Sequence, residues 1–190
     1  MLAWALVLVA APWLTGAQAA VAQSEAWTAL RSGQAVLLLR HASAPGTGDP
    51  ANFVLEDCST QRNLSEQGRA EAQRWGELLR RQGITSARLL SSRWCRALET
   101  ARRLNLGQVE PLPLLDSFYA GAGDRNLQTA ALRRFLEAPS ADGPVILVTH
   151  QVNITALTGV FPRSGEGLIL RVPITDPVQM LARIAPPDPD

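Results

Sequence analysis

The chain has 190 residues, 46% hydrophobic and 18% charged, which excludes a disordered segment and suits one globular domain with a sizeable core. A net charge of +1 excludes a global electrostatic pull toward nucleic acid or an anionic membrane. All 18 basic residues are arginine, so cationic contacts to an anion must come from guanidiniums, imidazoles or the amino terminus.

The first 22 residues read as separate from the fold. Residues 2–14, LAWALVLVAAPWL, form an apolar run as long as a signal-peptide core and short for a membrane span. Ala17-Gln18-Ala19 or Ala20-Val21-Ala22 then suits signal peptidase. The run has no preceding Lys or Arg, which leaves an uncleaved anchor or a buried first helix as competing readings. The expectation is a signal peptide over 1–22 and one mature domain over 23–190. That domain would be periplasmic or secreted, with no membrane insertion after cleavage.

A short helix is predicted near 24–31, then a strand over 35–40. AVLLLR is too short for a helix and lacks a polar-alternating face, so it reads as a strand buried on both sides. It ends in Arg40 and is followed by His41. Residues 42–63 are rich in Pro, Gly, Asp and Ser without periodicity, and a long loop inside a compact domain is usually functional. Ser65 caps a helix predicted over 66–82, with Ala72, Trp75, Leu78 and Leu79 on its apolar face and Gly83 as its stop. A strand over 87–91 and a helix over 93–104 follow, then a short strand over 109–112. After a glycine-bearing loop, Asp124 caps a helix running to Glu137. A turn around 139–143 leads to the strand VILVT, which ends at His150, and a helix follows to Gly159. Two late strands are predicted over 167–172 and 178–184, and the PPDPD tail has nothing to pack with. The alternation predicts an α/β domain: a mostly parallel central sheet flanked by helices on both faces.

The only two histidines, His41 and His150, each close a buried strand. In open α/β sheets ligands bind at the carboxyl ends of parallel strands, so the pair points to one shared site. Arg40 precedes His41, and Arg96 falls in the first turns of the helix after Ser91-Ser92, near free backbone N–H groups. Two arginines and two histidines at one crevice suit a tetrahedral oxyanion, with phosphate as the natural guest.

Five segments, in order, carry a resemblance: LLLRHA (37–42), RNLSEQGRAEA (62–72), SSRWCRALETA (91–101), LLDSFY (114–119) and VTHQVNITALTG (148–159). Together the chain resembles the histidine phosphatase superfamily, which includes phosphoglycerate mutases, acid phosphatases and phosphohistidine phosphatases. The resemblance implies a phosphoglycerate mutase-like fold and a phosphohistidine on His41. It places Arg40, Arg96 and His150 in the phosphate pocket and Asp116 as proton donor; a solvated loop aspartate is the plainer reading of Asp116. The chain departs from the common pattern at Ala42 and Gln151, where glycine is frequent, and at Asp116, where glutamate is commoner. Arg62 reads either as a further phosphate contact or as a surface arginine beside a helix cap. Gln151 and Asn153 read as contacts to substrate hydroxyls or as caps. Trp94 reads as pocket lining or as core.

The chemistry needs neither cofactor nor metal: imidazole attacks phosphorus while guanidiniums stabilise the equatorial oxygens. The expected activity is that of an exported phosphomonoesterase on a small phosphorylated substrate, with a phosphosugar or a cell-envelope glycan phosphate as candidates. The competing readings are a low-turnover binding protein for phosphorylated ligands and, fitting export poorly, a phosphomutase. Cys58 and Cys95 are an even pair flanking the proposed site, and export would make them a disulfide; two buried thiols are the alternative.

Overall fold

The computed structural model describes residues 16–137 and 143–188. The apolar run at 2–14 and most of the turn expected at 139–143 lie outside the described residues.

Six strands form one sheet in the order β3-β2-β4-β1-β5-β6, with β1 at Ala35–Arg40, β2 at Arg88–Ser91, β3 at Val109–Pro111, β4 at Val145–Thr149, β5 at Gly167–Arg171 and β6 at Met180–Ile184. The first four run parallel, and β5 and β6 join antiparallel beside β1. The mostly parallel sheet is as expected.

The two apolar runs, β1 and β4, lie adjacent at its centre, and helices cover both faces. Leu37, Leu39, Ile146 and Val148 point to the side of α1 (Gly16–Arg31), α2 (Glu66–Arg81) and α3 (Cys95–Leu104), packing with Trp27, Leu30, Trp75, Leu79 and Leu104. The alternate residues Val36, Leu38, Val145 and Leu147 face α4 (Arg125–Leu136) and α5 (Gln151–Thr158), against Leu132, Leu136, Ile154 and Leu157. Both faces of each strand are thus apolar, the physical reason for its continuous hydrophobic run. Each fully buried leucine contributes about 1.5–3 kcal/mol.

Local chemistry sets the ends of the elements. Ser65 accepts the Gly68 N–H at 3.0 Å to start α2, and Asp124 accepts the Leu127 N–H at 2.9 Å to start α4. A Cβ on Gly68 would stand 2.0 Å from the Ser43 carbonyl oxygen, so only glycine lets α2 lie this close to the chain leaving β1.

Several boundaries differ from expectation by one or two residues, and three differences matter more. The first helix begins at Gly16, so α1 runs unbroken through both candidate cleavage motifs. Among its described side chains, the buried ones begin at Ala26. α3 starts at Cys95 because Ser92 still donates its N–H to the Val148 carbonyl at 2.9 Å, extending the ladder. The tail is tethered as far as Pro187, whose carbonyl accepts from Arg74 Nε at 3.0 Å. No described helix is long and apolar enough to cross a membrane.

Candidate active site

Strand register builds the site. Arg40 pairs with Thr149 across β1 and β4, and Ser91 with Val148 across β2 and β4. The next residues, His41, His150 and Ser92, therefore emerge level at the carboxyl edge. The imidazoles meet edge to face with centroids 5.4 Å apart, and both are buried.

Hydrogen bonds assign the tautomers. His41 Nδ1 lies 2.8 Å from the Ala42 carbonyl, which can only accept, so Nδ1 carries the proton and Nε2 keeps its lone pair. Arg96 Nε donates to that Nε2 at 3.3 Å. Burial first, then the Arg96 guanidinium, holds the His41 pKa well below its usual value. His150 is held down by burial and then by His41 and Arg96. At neutral pH both rings are neutral, and His41 presents Nε2 as a nucleophile.

His150 is oriented from behind. Arg96 Nη2 stands 3.5 Å from its Nδ1, which places the ring proton on Nε2, 2.7 Å from Ser92 Oγ. Ser92 in turn donates to Asp116 Oδ1 at 3.3 Å. Asp116 thus reaches the pair at one remove. Its Oδ1 also accepts the Arg93 N–H at 2.8 Å, and its Oδ2 accepts from Arg93 Nε at 2.7 Å and Nη2 at 2.6 Å. The carboxylate is turned to Arg93 and is not among the residues lining the cavity over His41.

That cavity, of about 260 Å³, is lined by Arg40, His41, Arg62, Arg96 and His150, with Tyr119 and Phe161 toward its mouth and no acidic residue. The cavity thus gathers both histidines and all three candidate arginines, but not the Asp116 carboxylate. Arg62 belongs to the pocket: its Nε and Nη1 donate to the Gly48 and Ala44 carbonyls at 2.8 and 2.5 Å. Arg40 Nη1 donates to the Pro162 carbonyl at 2.9 Å, while its buried Nε has no partner. Gln151 donates to Thr155 within its own helix. Asn153 neither caps nor faces the cavity but donates to the Asp116 carbonyl at 2.8 Å. Trp94 is buried against His150, centroids 5.5 Å apart.

The 42–63 loop is built around the first turn of α3. Cys58 and Cys95 are bonded, and Gln61 Oε1 accepts the Cys95 N–H at 3.0 Å, capping the helix from outside. Asp49 grips the outer edge of Arg96 with both oxygens, at 2.7 and 3.1 Å, and also accepts the Arg62 N–H and Trp94 Nε1, each at 3.0 Å. A guanidinium has two usable edges; Asp49 holds one and leaves the Nε/Nη2 edge toward the imidazoles. Burial raises the Asp49 carboxyl pKa, and its bonds to Arg96 and Arg62 overcome this and bring it below the ordinary value. Asp49, Gln61 and Ser92 were not singled out by sequence reasoning. Ser92 alone carried a signal, standing inside a motif segment.

Among the described residues no group of three His, Cys, Asp or Glu side chains is placed to hold a metal ion. The arrangement can receive a tetrahedral dianion against three guanidiniums and offer it one unprotonated ring nitrogen.

The family model described as the histidine phosphatase superfamily, branch 1, matches residues 36–122. The match covers β1 through the Asp116 segment and ends before His150. None of the curated proteins searched matches the chain. Solved structures share the fold. The protein histidine phosphatase SixA complexed with tungstate is 20% identical with a TM-score of 0.57, over 80% of this chain and 97% of that one. A putative phosphohistidine phosphatase SixA from Agrobacterium tumefaciens is 20% identical with a TM-score of 0.54, over 82% and 99%. A mycobacterial glucosyl-3-phosphoglycerate phosphatase is 20% identical with a TM-score of 0.51, over 72% and 89%.

Proposed function

We propose that the chain belongs to the histidine phosphatase superfamily, whose model matches residues 36–122, and that it is an exported phosphomonoesterase working through a phosphohistidine on His41. The observation that carries the reading is the unprotonated Nε2 of His41, its ring fixed by the Ala42 carbonyl, beneath a cavity lined by Arg40, Arg62 and Arg96. In the first step Nε2 attacks phosphorus in line, the P–O bond to the leaving group breaks, and its electron pair goes to the leaving oxygen, which takes its proton from solvent in the open cavity. In the second, water attacks phosphorus, the P–N bond breaks with its pair returning to Nε2, and the proton lost by the water passes to a phosphate oxygen or to solvent, releasing inorganic phosphate. The guanidiniums stabilise the equatorial oxygens in both steps, and the neutral His150 ring, held by Ser92 and Arg96, fixes the wall of the pocket beside them, so the reading calls for no metal.

Asp116 was expected to protonate the leaving oxygen. Its bonds to Arg93 and Ser92 instead support a positioning role, in which it holds Ser92 and through it His150. The absence of an acidic group from the cavity lining favours, as a second reading, a slow enzyme or binding protein for phosphorylated ligands.

Export and a start of the mature chain near Gln23 are part of the proposal. They are supported by the disulfide and by the lack of buried side chains ahead of Ala26 among those described in α1. The substrate is proposed to be a small phosphate monoester, with phosphosugars and cell-envelope glycan phosphates as candidates.

The test is to mix the purified protein briefly with 4-nitrophenyl phosphate, quench in alkali, and look for base-stable, acid-labile phosphate on the chain alongside steady hydrolysis. Phosphate bound but neither transferred to the chain nor released would replace the enzyme reading with the binding one.

A further inference from the structure

A second cleft, of about 270 Å³, adjoins the phosphate cavity, and the two share Gly48, Ser117 and Tyr119 as a common wall. A monoester whose phosphoryl group sits over His41 can extend its leaving group past this wall into the second cleft. The chemistry changes sharply across it. The first cavity is lined by three arginines, and the second has no cationic lining residue. Its one charged side chain is Asp49, whose two oxygens are already taken by Arg96, Trp94 and the Arg62 N–H.

The remaining surface is mainly apolar and aromatic, with Ser117 as its uncharged polar side chain on the shared wall. Phe53 packs on Trp94 with centroids 5.7 Å apart, and Trp94 in turn touches His150, so ring contacts run from the catalytic edge into the cleft. Tyr119 is 48% exposed, and its ring edge lies 3.3 Å from where a Cβ on Gly48 would stand. Gly48 has φ +70°, so the backbone there both needs glycine and admits the tyrosine ring.

We propose that this cleft is the leaving-group subsite and that it selects an uncharged, ring-bearing alcohol over an anionic one. The inference rests on the phosphoryl site lying over His41. A carboxylate-bearing leaving group would meet no cation there and would lie beside Asp49. A ring would cover Phe53 and Tyr119 and lose only water.

The test uses phosphonates, which cannot be hydrolysed and so read the cleft without turnover. Calorimetry on the purified protein compares ethylphosphonate, benzylphosphonate and 4-carboxybenzylphosphonate. Benzylphosphonate should bind about tenfold tighter than ethylphosphonate, and the carboxylate should remove that gain. Phe53→Ala and Tyr119→Ala should each shrink the benzyl-to-ethyl ratio. Equal affinities for the benzyl and ethyl compounds, tighter binding of the carboxylated one, or a ratio unmoved by both substitutions would overturn the subsite. Ligands that bind with the expected ratio while benzyl phosphate is not hydrolysed would sustain the subsite and remove the proposed catalysis. No binding of any phosphonate would remove both.

Discussion

Replacing Asp49 by asparagine isolates what the loop does for Arg96. The side chain keeps its size and an oxygen for the Arg62 N–H or Trp94, but the charge opposite Arg96 is gone. The two partners are 9% and 3% exposed, so the variant leaves a buried guanidinium without its counter-charge. Breaking such a pair costs about 3–5 kcal/mol, and the retained shape and hydrogen bonding point to the lower end. The wild-type advantage should appear in urea unfolding at pH 7. Because the folded Asp49 pKa is depressed, that advantage is present above the unfolded carboxyl value and should fade as pH falls below about 4. If Asp49 also aims the inner edge of Arg96, kcat/KM on 4-nitrophenyl phosphate should fall about 100-fold, the usual penalty for a displaced catalytic contact. A destabilised variant with kcat/KM within about twofold of wild type would refute the aiming argument and leave a structural ion pair. A rise in kcat/KM would refute it more thoroughly, since Asp49 would then be a competitor for the phosphate's own arginine.

His41→Ala should cost at least about a thousandfold in kcat and abolish acid-labile phosphate on the chain; retention of either would move the nucleophile elsewhere. Asp116→Asn should slow ethyl phosphate and 4-nitrophenyl phosphate alike if Asp116 only steadies Ser92 and His150. A loss confined to ethyl phosphate, whose leaving group needs a proton, would restore it as the donor. Cys58 and Cys95 lie 37 residues apart, so replacing both with serine should cost about 4 kcal/mol of stability and lower activity as the loop loosens. Denaturation curves and rates unchanged by reductant would show the bond to be idle. Burial pushes the Glu71 carboxyl up to about 7, so its charged form is penalised only in the fold. Glu71→Gln should therefore be the more stable protein above pH 7, by about 3 kcal/mol, and show no gain near pH 4; equal urea midpoints at pH 8 would contradict this.

What could be read in advance followed from burial and ended where tertiary placement began. AVLLLR and VILVT have no polar side, so they could only be central strands, and the polar residues after them could only emerge at an edge. His41, His150 and Arg40 were legible for that reason, and Arg96 because helix starts after parallel strands share that edge. Asp49 sits in a loop without periodicity and acts on a residue 47 positions away, so nothing local marks it. The direction of the Asp116 carboxylate depends on Arg93 folding back over it, which spacing does not specify. The start of α1 was missed because its first turns bury no described side chain, so no apolar stripe marks them.

The three pocket arginines are each moored before any ligand arrives: Arg40 to Pro162, Arg62 to Gly48 and Ala44, Arg96 to Asp49. Positive charge so fixed does not need to rearrange on binding, and it does not distinguish an ester about to react from the inorganic phosphate left afterwards. On the proposed chemistry, departure of phosphate then becomes the slow event of the cycle. Ambient phosphate becomes a brake on the enzyme, so its working rate reports how phosphate-starved its surroundings are.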